Sequence, residues 1–574
     1  MSKTEITSQV EWETLNWAKV DWAVFKLQKR IYRASERGDV KRVRRLQKML
    51  VKSWDAKLLA VRRVTQENKG RKTAGVDGVK DLDNKHRILL ARNLEMDGQA
   101  SPTRRVWIPK PGKKEMRPLS IPTMQERAKQ ALMKLALEPE WEAHFESASF
   151  GFRPGRGQHD AIEAIRIVLT AKPKYVLDAD IAQCFDRIDH QNLLAKINTT
   201  PQFRRQIKAW LKAGVLERNC FQETESGTPQ GGTISPLLAN IALHGMQQLI
   251  EVHYPAYRNG TIKGSRGKFG RDDVSQPKLI RYADDLVLLC DELRVVNHCR
   301  QLIETWLDGI GLKLKPEKTR LVHTLNEHEG QPPGFDFLGF TIRQFKVGKH
   351  HSGKTSRKKV LGFKTIIKPS DKKVRAHYEK LAEITQKLRA ASQTKLIWAL
   401  NPIIRGWCNY QAPWNAGKAF SKLNHLVWRR LWRWAKFRHP NKGHRWITRK
   451  YWRSVGRDNW VFMDSKKEAK LHKHSSYSAG KRWRKVQGNR SPFDGDELYW
   501  STRLGDKYQT QDPQKARLLK RQQGQCIYCK HAFKPGDHLE KHHLKPFSQG
   551  GNNTDKNLVL VHLHCHDQLH RKRG

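Results

Sequence analysis

The spacing of apolar positions changes along the chain. Between residues 12 and 64, apolar side chains such as Trp22, Phe25 and Ile31 recur at helical intervals, with Lys and Arg between them. This spacing predicts two basic amphipathic helices that break near Gly38. The sequence leaves two roles for them equally open: a helical hairpin packed on the next domain, and a surface that contacts RNA.

Short β-prone runs alternate with helical segments from about residue 100 to residue 345, which is typical of an α+β domain. A Lys- and Ser-rich break follows at 348–353, and residues 370–460 have mainly helical spacing. The pattern therefore predicts a mixed α/β region followed by a helical one.

Two adjacent carboxylates, Asp284 and Asp285, lie at a predicted hairpin turn between apolar runs. Neighbouring carboxylates repel each other, so this placement favours a divalent cation, although a solvated Asp-Asp turn explains the pair alone equally well. A third carboxylate, Asp180, ends another β-prone run. Because two-metal phosphoryl transfer needs acidic ligands from separate segments, these residues predict a site for cations about 3.5–4 Å apart.

The 574 residues include 110 Lys and Arg against 56 Asp and Glu, a formal net charge of +54. The length predicts about three to five domains, and so large a positive charge predicts a polyanionic partner. No run approaches the roughly 18–20 apolar residues of a membrane-spanning helix. The N-terminal residues lack a secretory pattern. We therefore expect a cytosolic, nucleic-acid-bound protein with no membrane partner.

Positive charge is concentrated between residues 401 and 460, where fourteen basic residues accompany a single acid, Asp458. Tryptophans are interleaved with them, and for most of these a helical core explains the pattern better than stacking on nucleobases. The basic residues are the stronger sign of nucleic-acid contact. The residues predicted to bind RNA are Arg405, Arg429, Arg430, Arg433, Lys436 and Arg438.

Five of the eight cysteines are scattered, whereas three cluster near the end of the sequence, which predicts reduced thiols and a metal site. The residues Cys526, Cys529, His562 and Cys565 form two knuckles with two-residue spacing. Such a set binds structural Zn²⁺ tetrahedrally.

Further histidines follow the same pattern. His566 and His570 lie four residues apart on a predicted helix and, with His542, would hold a catalytic divalent cation. This constellation resembles the HNH endonucleases with a ββα-metal core. In that reading His543 deprotonates water and Asn557 orients its imidazole. A zinc knuckle without catalysis is the alternative.

Seven blocks, in order, resemble the reverse transcriptases encoded within bacterial group II introns. The blocks are Arg117–Pro122, Ser149–Pro154, Asp180 with Phe185, Gly227–Pro236, the Asp284-Asp285 turn, Leu314–Thr319 and Phe337–Phe340. The resemblance covers roughly residues 1–460, and the nuclease-like segment follows.

The resemblance implies an α+β multidomain fold with right-hand polymerase fingers and palm, an α-helical thumb and maturase domain, and a C-terminal ββα-metal HNH domain with zinc knuckles. The expected units are a basic helical extension (1–69), fingers and palm (70–350), thumb and maturase domain (351–460), a DNA-binding linker (461–520) and the HNH domain (521–574). For the linker, a solvated connector is nearly as good an explanation.

The resemblance also implies roles in the polymerase site. Asp180, Asp284 and Asp285 would bind two Mg²⁺ ions, and Phe185 would act as a steric gate that favours deoxynucleoside triphosphates. Gln230 would contact the nucleotide or the template. The remaining substrate contacts would come from Arg104, Lys110, Arg117 and Lys318.

The implied function is that of a group II intron-encoded protein: RNA-directed DNA polymerase, splicing cofactor (maturase) of the intron RNA, and DNA endonuclease. Together these activities imply retrohoming by target-primed reverse transcription, with group II intron RNA and target DNA as partners. Two alternatives are a non-catalytic RNA-binding splicing factor on a polymerase scaffold, and a host-recruited defence reverse transcriptase. The intact carboxylates argue against the first, and the joined maturase-like and HNH-like regions argue against the second.

Overall fold

The computed structural model describes residues 11–109, 115–217, 220–255, 257–258, 261–262, 276–354, 360–456, 458–477, 479–480, 483–504 and 513–571. Its N-terminal helices are α1 (Trp17–Glu36), α2 (Val40–Lys52), α3 (Trp54–Arg62) and α4 (Asn84–Arg92), with a π-helical turn at Arg63–Glu67 and a 3₁₀ turn at Lys69–Lys72.

The first two helices confirm the predicted amphipathic pair. The Asn16 and Asp39 side chains cap them by accepting hydrogen bonds from backbone N–H groups of the first turn. Gly38 separates the helices in the left-handed region, at φ +71°. Their apolar faces pack into the same core as the long helix that follows the first sheet, so the expected helical hairpin packed on the next domain is present.

The central region contains β1 (Thr103–Pro109), β2 (Met116–Ile121), α5 (Met124–Glu142), α6 (Gln158–Val168), β3 (Tyr175–Asp180), α7 (Cys184–Arg187), α8 (His190–Ile197), α9 (Pro201–Leu211), β4 (Val215–Glu217), β5 (Cys220–Gln222), α10 (Ser235–Ala242), α11 (Met246–His253), β6 (Tyr257–Arg258), β7 (Thr261–Ile262), β8 (Lys278–Tyr282), β9 (Asp285–Cys290), α12 (Leu293–Asp308), β10 (Arg320–His323), β11 (Phe335–Phe337) and β12 (Phe340–Lys346). A 3₁₀ turn occupies Pro316–Lys318.

Two sheets organise this region. The first has the order β2-β1-β4-β5, and the second, which we call the central sheet, has the order β10-β3-β9-β8 with antiparallel neighbours. Alternate residues of β9 enter different cores, since Leu286 and Leu288 face the core shared with α5 whereas Val287 and Leu289 face the core shared with α6. Burial on both faces explains the unbroken apolar run after the Asp-Asp turn.

The next unit contains β13 (Phe363–Pro369), α13 (Asp371–Lys387), α14 (Gln393–Gln411), α15 (Gly417–Arg438), α16 (His444–Tyr451), β14 (Trp452–Val455), β15 (Asp458–Asp464) and β16 (Ala469–Lys470), with 3₁₀ turns at Ser465–Lys467 and His474–Ser476. Its strands form the sheets β11-β12-β13 and β14-β15-β16. The predicted boundary at residue 460 lies inside β15. The hydrophobic core of this unit continues to Leu471.

The final elements are α17 (Glu497–Leu504), α18 (Pro513–Arg521), β17 (Leu539–His543), β18 (Leu558–His562) and α19 (Leu563–Arg571), with 3₁₀ turns at Phe547–Gln549 and Asp555–Asn557. The antiparallel pair β17-β18 followed by α19 confirms the predicted ββα arrangement. No helix of the described residues has the length and apolar character needed to cross a membrane.

Residues 483–504 are docked on the central region. Trp483, Val486 and Trp500 are buried. The Asp160 carboxylate, at the start of α6, accepts hydrogen bonds from Val486 N at 2.8 Å and from an Arg503 guanidinium nitrogen at 2.6 Å. This part of the predicted linker is therefore not a solvated connector.

The C-terminal unit contacts the N-terminal helices. Arg62 Nη2 lies 3.1 Å from Asp567 Oδ2, the His531 ring stacks on Trp22 at 4.8 Å, and Lys534 forms an ion pair with Asp21. The two ends of the described chain are thus held together.

Candidate active sites

Asp180, Asp284 and Asp285 lie at one end of β3 and β9, the two inner strands of the central sheet. Asp180 ends β3 and pairs in register with Asp285, which begins β9. Asp284 lies in the turn between β8 and β9, where Ala283 has φ +57°. The antiparallel register therefore brings carboxylates from separate segments together, as the sequence predicted.

Burial and like charge act on these carboxylates. Burial raises the pKa of Asp284, and the neighbouring Asp180 raises it further. Burial, then Asp284 and Asp180, raise the pKa of Asp285 to about 7. The folded protein thus disfavours ionisation of Asp284 and Asp285 unless a cation compensates, which fits a metal-binding role.

Lys318 pairs with Asp180. Burial lowers the pKa of Lys318, but its hydrogen bond with Asp180 and the charges of all three aspartates raise it overall. The carboxylate oxygens of the three aspartates do not all lie within 4.8 Å of one another. Among the described residues, the groupings of three or more potential metal ligands at that distance lie in the C-terminal unit. Mutual repulsion and the Lys318 pair explain that spacing.

A glycine supports the turn that carries Asp284. A Cβ atom at Gly151 would lie 2.3 Å from Ala283 N, so a larger residue would displace the turn. Phe150 N also donates to Arg281 O at 2.9 Å, and the buried Arg281 guanidinium donates to Ala283 O at 3.1 Å. Neither Gly151 nor Arg281 was predicted from the sequence as a site residue, although Gly151 lies within the Ser149–Pro154 block.

Phe185 lies in α7, directly beyond the end of β3. Its ring is partly buried and meets the Phe152 ring edge-on at 6.1 Å. Phe152 itself is 47% exposed and has φ +59°, an uncommon conformation for a bulky side chain. The two rings together form an aromatic wall close to the carboxylates.

The glycine-rich turn packs on the same short helix. Gln230 Nε2 donates to both carboxylate oxygens of Asp186, at 2.9 and 2.8 Å. A Cβ atom at Gly227 would lie 2.5 Å from the backbone of Asp186. Gln230 is thus held on α7 by Asp186, the residue that follows Phe185, and its contact with the nucleotide or the template stays a prediction.

The predicted triphosphate contacts come from the first sheet. Arg104 lies on β1 opposite Ile121, and Arg117 lies on β2 opposite Ile108. The positive charge of Arg117 lowers the pKa of Asp284 and that of Asp186, against the larger effect of burial. Lys110 lies outside the described residues.

The six predicted RNA-binding residues fall into two groups. Arg405, Arg429 and Arg433 are exposed. The other three make internal hydrogen bonds: Arg430 to Ala382 O, Lys436 to Pro440 O and Arg438 to Ala391 O. Lys436 is exposed as well, so only Arg430 and Arg438 are half-buried.

The tryptophans between residues 401 and 460 also differ in how far they are exposed. Trp414, Trp434 and Trp452 are buried in the cores, as the helical-core reading expects. Trp446 and Trp460 remain 38% and 46% exposed. These two rings are available to a partner.

Three cysteines and a histidine converge in the C-terminal unit. The ligand atoms of Cys526, Cys529, His562 and Cys565 all lie within 4.8 Å of one another. His562 Nδ1 faces the sulfurs, whereas Nε2 lies 3.2 Å from Asp537 Oδ2. Hydrogen bonds from Cys529 and Cys565 lower the pKa of the Cys526 thiol. Three convergent sulfurs and one imidazole, with a carboxylate on the outer nitrogen of the histidine, fit Zn²⁺.

A second grouping comprises His542, His566 and His570, whose ligand atoms also lie within 4.8 Å of one another. His542 comes from β17, and the other two share one face of α19, with their Nε2 atoms 3.1 Å apart. Imidazole nitrogens in this arrangement suit a transition-metal or other divalent cation.

His543 lies next to this grouping on β17. Its Nε2 donates to Asn553 Oδ1 at 2.9 Å, which leaves Nδ1 with the lone pair. The predicted contact from Asn557 is not formed, because Asn557 instead bonds to the backbone of Lys545 and Asn552. Asn557 therefore fixes the loop that follows His543. Asn553 was missed because its contact depends on how that loop folds.

Family models match most of the described units. Residues 108–342 match reverse transcriptase (RNA-dependent DNA polymerase), and residues 12–94 match the N-terminal domain of reverse transcriptase. Residues 374–452 match the group II intron, maturase-specific domain, and residues 526–572 match HNH endonuclease.

Whole-protein relatives span several of these regions. Protein YkfC of Escherichia coli is 31% identical over 331 residues, which cover 52% of this chain and 83% of YkfC. The group II intron-encoded protein LtrA of Lactococcus lactis subsp. cremoris is 30% identical over 421 residues, 63% of this chain and 69% of LtrA. A 91 kDa protein in a cob intron of Schizosaccharomyces pombe is 28% identical over 358 residues, 54% of this chain and 43% of that protein.

Proposed function

Because this chain belongs to the group II intron-encoded proteins, which join a reverse transcriptase, a maturase region and an HNH endonuclease, we propose a division of labour among its sites. The chain is a reverse transcriptase and an endonuclease, and its maturase region implies binding of intron RNA. The proposal concerns the residues, ions and order of events.

In the polymerase site, Asp180, Asp284 and Asp285 would hold two Mg²⁺ ions. When bound, these ions favour ionisation of the primer 3′-hydroxyl and neutralise the triphosphate. The raised pKa values of Asp284 and Asp285 support this assignment, since a cation relieves the repulsion that raises them. Lys318, which pairs with Asp180, would contact the leaving pyrophosphate.

The sugar of the incoming nucleotide lies over Phe185. Its ring, which meets Phe152 at 6.1 Å, would clash with a 2′-hydroxyl, so deoxynucleoside triphosphates are the proposed substrates. Gln230 contacts the nucleotide or template from the adjacent turn. Arg104 and Arg117, with Lys110 as predicted, contact the triphosphate.

In the endonuclease site, His542, His566 and His570 would hold a divalent cation, which would supply positive charge to the attacked phosphate. His543 takes a proton from water through Nδ1, because Nε2 is committed to Asn553. Asn557 positions this group indirectly through the loop. Zn²⁺ on Cys526, Cys529, His562 and Cys565 holds the fold together.

These roles support retrohoming by target-primed reverse transcription. The intron RNA inserts into one strand of the target DNA, the His543-dependent site cleaves the other strand, and the carboxylate site extends the new 3′ end along the RNA. The net charge of +54 suits simultaneous contact with RNA and DNA, and we locate the complex in the bacterial cytosol on these polyanions.

The observation that carries the proposal is the register of the central sheet, which sets Asp180 opposite Asp285 beside the Asp284 turn. A splicing factor that kept only the scaffold would not need these carboxylates at the end of the inner strands, where burial makes the ionised forms of Asp284 and Asp285 unfavourable.

A reconstituted ribonucleoprotein tests the order of events. The unmodified chain, bound to its intron RNA, is incubated with duplex target DNA, and the inserted RNA, the cleaved strand and the cDNA are measured separately. Asp284→Ala should keep insertion and cleavage but make no cDNA, and His543→Ala should keep insertion but lose cleavage and the cDNA primed from it. The exposed control Asp308→Asn should retain all three products.

Normal cDNA from Asp284→Ala would contradict the polymerase assignment. Normal cleavage by His543→Ala would contradict the endonuclease assignment. RNA insertion alone from the unmodified chain would favour the non-catalytic splicing factor.

A further inference from the structure

An aromatic cavity of about 320 Å³ opens in the maturase region. Residues of α15 form one wall, β15 forms another, and the segment 471–475 closes the end. Its aromatic lining comprises Trp428, Trp452, Trp460 and Phe462. The matched maturase range ends at residue 452, so two of these rings lie beyond it.

The rings are arranged for an inserted planar group. Trp460 is 46% exposed, whereas Trp452 is only 3% exposed and forms the floor. Trp428 and Trp460 meet at 6.0 Å with an angle of 85° between their planes, so they form a corner rather than a closed stack. Trp428 in turn stacks on Trp432 at 5.8 Å, which holds this side of the corner in place.

The polar end of the cavity contains Asp458, the single acid among residues 401–460. Its Oδ1 accepts from Lys473 Nζ at 2.6 Å and from Trp460 N at 3.1 Å, which leaves Oδ2 as an acceptor. The Asp458 and Lys473 side chains remain 42% and 34% exposed. A carboxylate on a surface that meets phosphate is unfavourable unless it accepts hydrogen bonds from the ligand.

The surroundings favour RNA. His425 lines the cavity, and the exposed Arg429 follows it by one helical turn on α15. A cationic ligand would also suit aromatic walls, but the Asp458 charge is already neutralised by Lys473. An unpaired base needs an aromatic face, hydrogen bonds at its edge and a cation near its phosphate, and the cavity offers all of these.

We propose that this cavity binds an unpaired nucleobase of the intron RNA, stacked on Trp460, and that guanine fits it best. Guanine places two N–H donors beside a carbonyl acceptor, which matches the Asp458 carboxylate next to the Lys473 ammonium. Adenine and uracil lack that edge. The inference rests on the proposed function, because it names how the maturase region grips RNA.

The test measures the affinity of the full-length chain for intron RNA over a range of salt concentrations. Trp460→Ala should weaken binding by about 5- to 150-fold, the usual range for loss of one stacked base. Trp460→Phe should restore most of the affinity. The control Trp398→Ala, at a ring that is 64% exposed outside the cavity, should bind normally.

The salt dependence separates stacking from phosphate contact. Trp460→Ala should leave the slope of log Kd against log salt unchanged, because no phosphate contact is lost. Base choice is measured with uridine oligomers that carry one central guanosine, inosine or adenosine. The unmodified chain should prefer guanosine, and Asp458→Asn should lose that preference.

Equal RNA affinity of Trp460→Ala and the unmodified chain would overturn the inference while leaving the proposed function intact. So would equally weak binding by Trp460→Phe and Trp460→Ala with a lowered melting temperature in both, since that pattern indicates a structural role. Failure of the unmodified chain to bind intron RNA would overturn both proposals. Competition by tetramethylammonium but not by guanosine monophosphate would assign the cavity to a cationic ligand.

Discussion

At the scale of single residues, we expect the aromatic wall formed by Phe152 and Phe185 to determine which sugar the polymerase site accepts. Phe185→Ala removes the ring that meets Phe152 and opens space for a 2′-hydroxyl. We expect the preference for deoxynucleotides over ribonucleotides to fall by at least about tenfold, in line with the size of steric discrimination at apolar pockets.

The measurement compares single-nucleotide incorporation from the two sugar forms on one RNA template. Phe221→Ala serves as the control, because that ring is 54% exposed on the first sheet, away from α7. An unchanged preference in Phe185→Ala would show that another residue excludes the hydroxyl.

Asn553 and Asn557, the two asparagines near His543, make different contacts: Asn553 bonds to the His543 ring, and Asn557 bonds to the loop backbone. Asn553→Ala removes the hydrogen bond that fixes the proton on His543 Nε2, so cleavage should slow by about 10²-fold or more, as for loss of an oriented general base. Asn557→Ala should slow cleavage through disorder of the loop and should also lower the thermal stability of the C-terminal unit.

Cleavage rates and melting temperatures of both variants check this distinction. Asn552→Ala, at a third and exposed position of the loop, is measured beside them. If Asn553→Ala cleaved at the normal rate, the lone pair on Nδ1 would not depend on this bond, and the assigned tautomer would be wrong.

Local sequence predicted the residues whose chemistry follows from their immediate neighbours. Asp284 and Asp285 are flanked by apolar strands, so their place at a hairpin turn could be read directly. The Asn553 contact depends on the path of the loop after His543, and the Gly151 contact depends on two segments meeting. Neither is encoded by spacing along the chain.

At the scale of elements, one buried carboxylate fastens residues 483–504 to α6. The Asp160 and Arg503 side chains are only 2% and 7% exposed. Asp160→Ala removes the carboxylate that pairs with the buried Arg503 guanidinium, and breaking such a buried pair costs about 3–5 kcal/mol. We expect the segment to detach and become sensitive to proteolysis while the central sheet stays folded.

Limited proteolysis with identification of the cleavage sites checks this prediction. Glu497→Gln is the matched control, since it removes the more exposed pair with Lys29, worth about 0–1 kcal/mol. Equal protease resistance in both variants would mean that the tryptophans alone hold the segment.

The same segment shows where reading elements from sequence reaches its limit. Helical periodicity correctly indicated the α-helices of the maturase region. It did not reveal that β15 spans the expected boundary at residue 460, nor that Trp483 and Trp500 are buried against a domain far away in the sequence. Both features depend on tertiary contacts, which the spacing of residues along the chain does not encode.

At the scale of the whole molecule, the net charge of +54 opposes the compact state until a polyanion neutralises it. Intron RNA should therefore raise the melting temperature at low salt, and at about 100 times Kd the stabilisation is about 2.7 kcal/mol. High salt should weaken the complex and reduce the shift. A shift of zero, or one that salt does not change, would contradict this view.

Two arginines provide matched controls. Arg429→Ala should weaken RNA binding and lower the salt dependence without changing the melting temperature of the free protein, because Arg429 is exposed. Arg438→Ala should lower that melting temperature, because Arg438 bonds to Ala391 O and covers Trp434.

Primer extension on an RNA template tests the central claim most directly. The unmodified chain, Asp284→Ala and the exposed control Asp308→Asn are compared with Mg²⁺ and either deoxynucleotides or ribonucleotides. We expect deoxynucleotide-dependent extension by the unmodified chain and the control, and none by Asp284→Ala. Extension by Asp284→Ala at the normal rate, or by none of the three proteins, would contradict the assignment of catalysis to this carboxylate site.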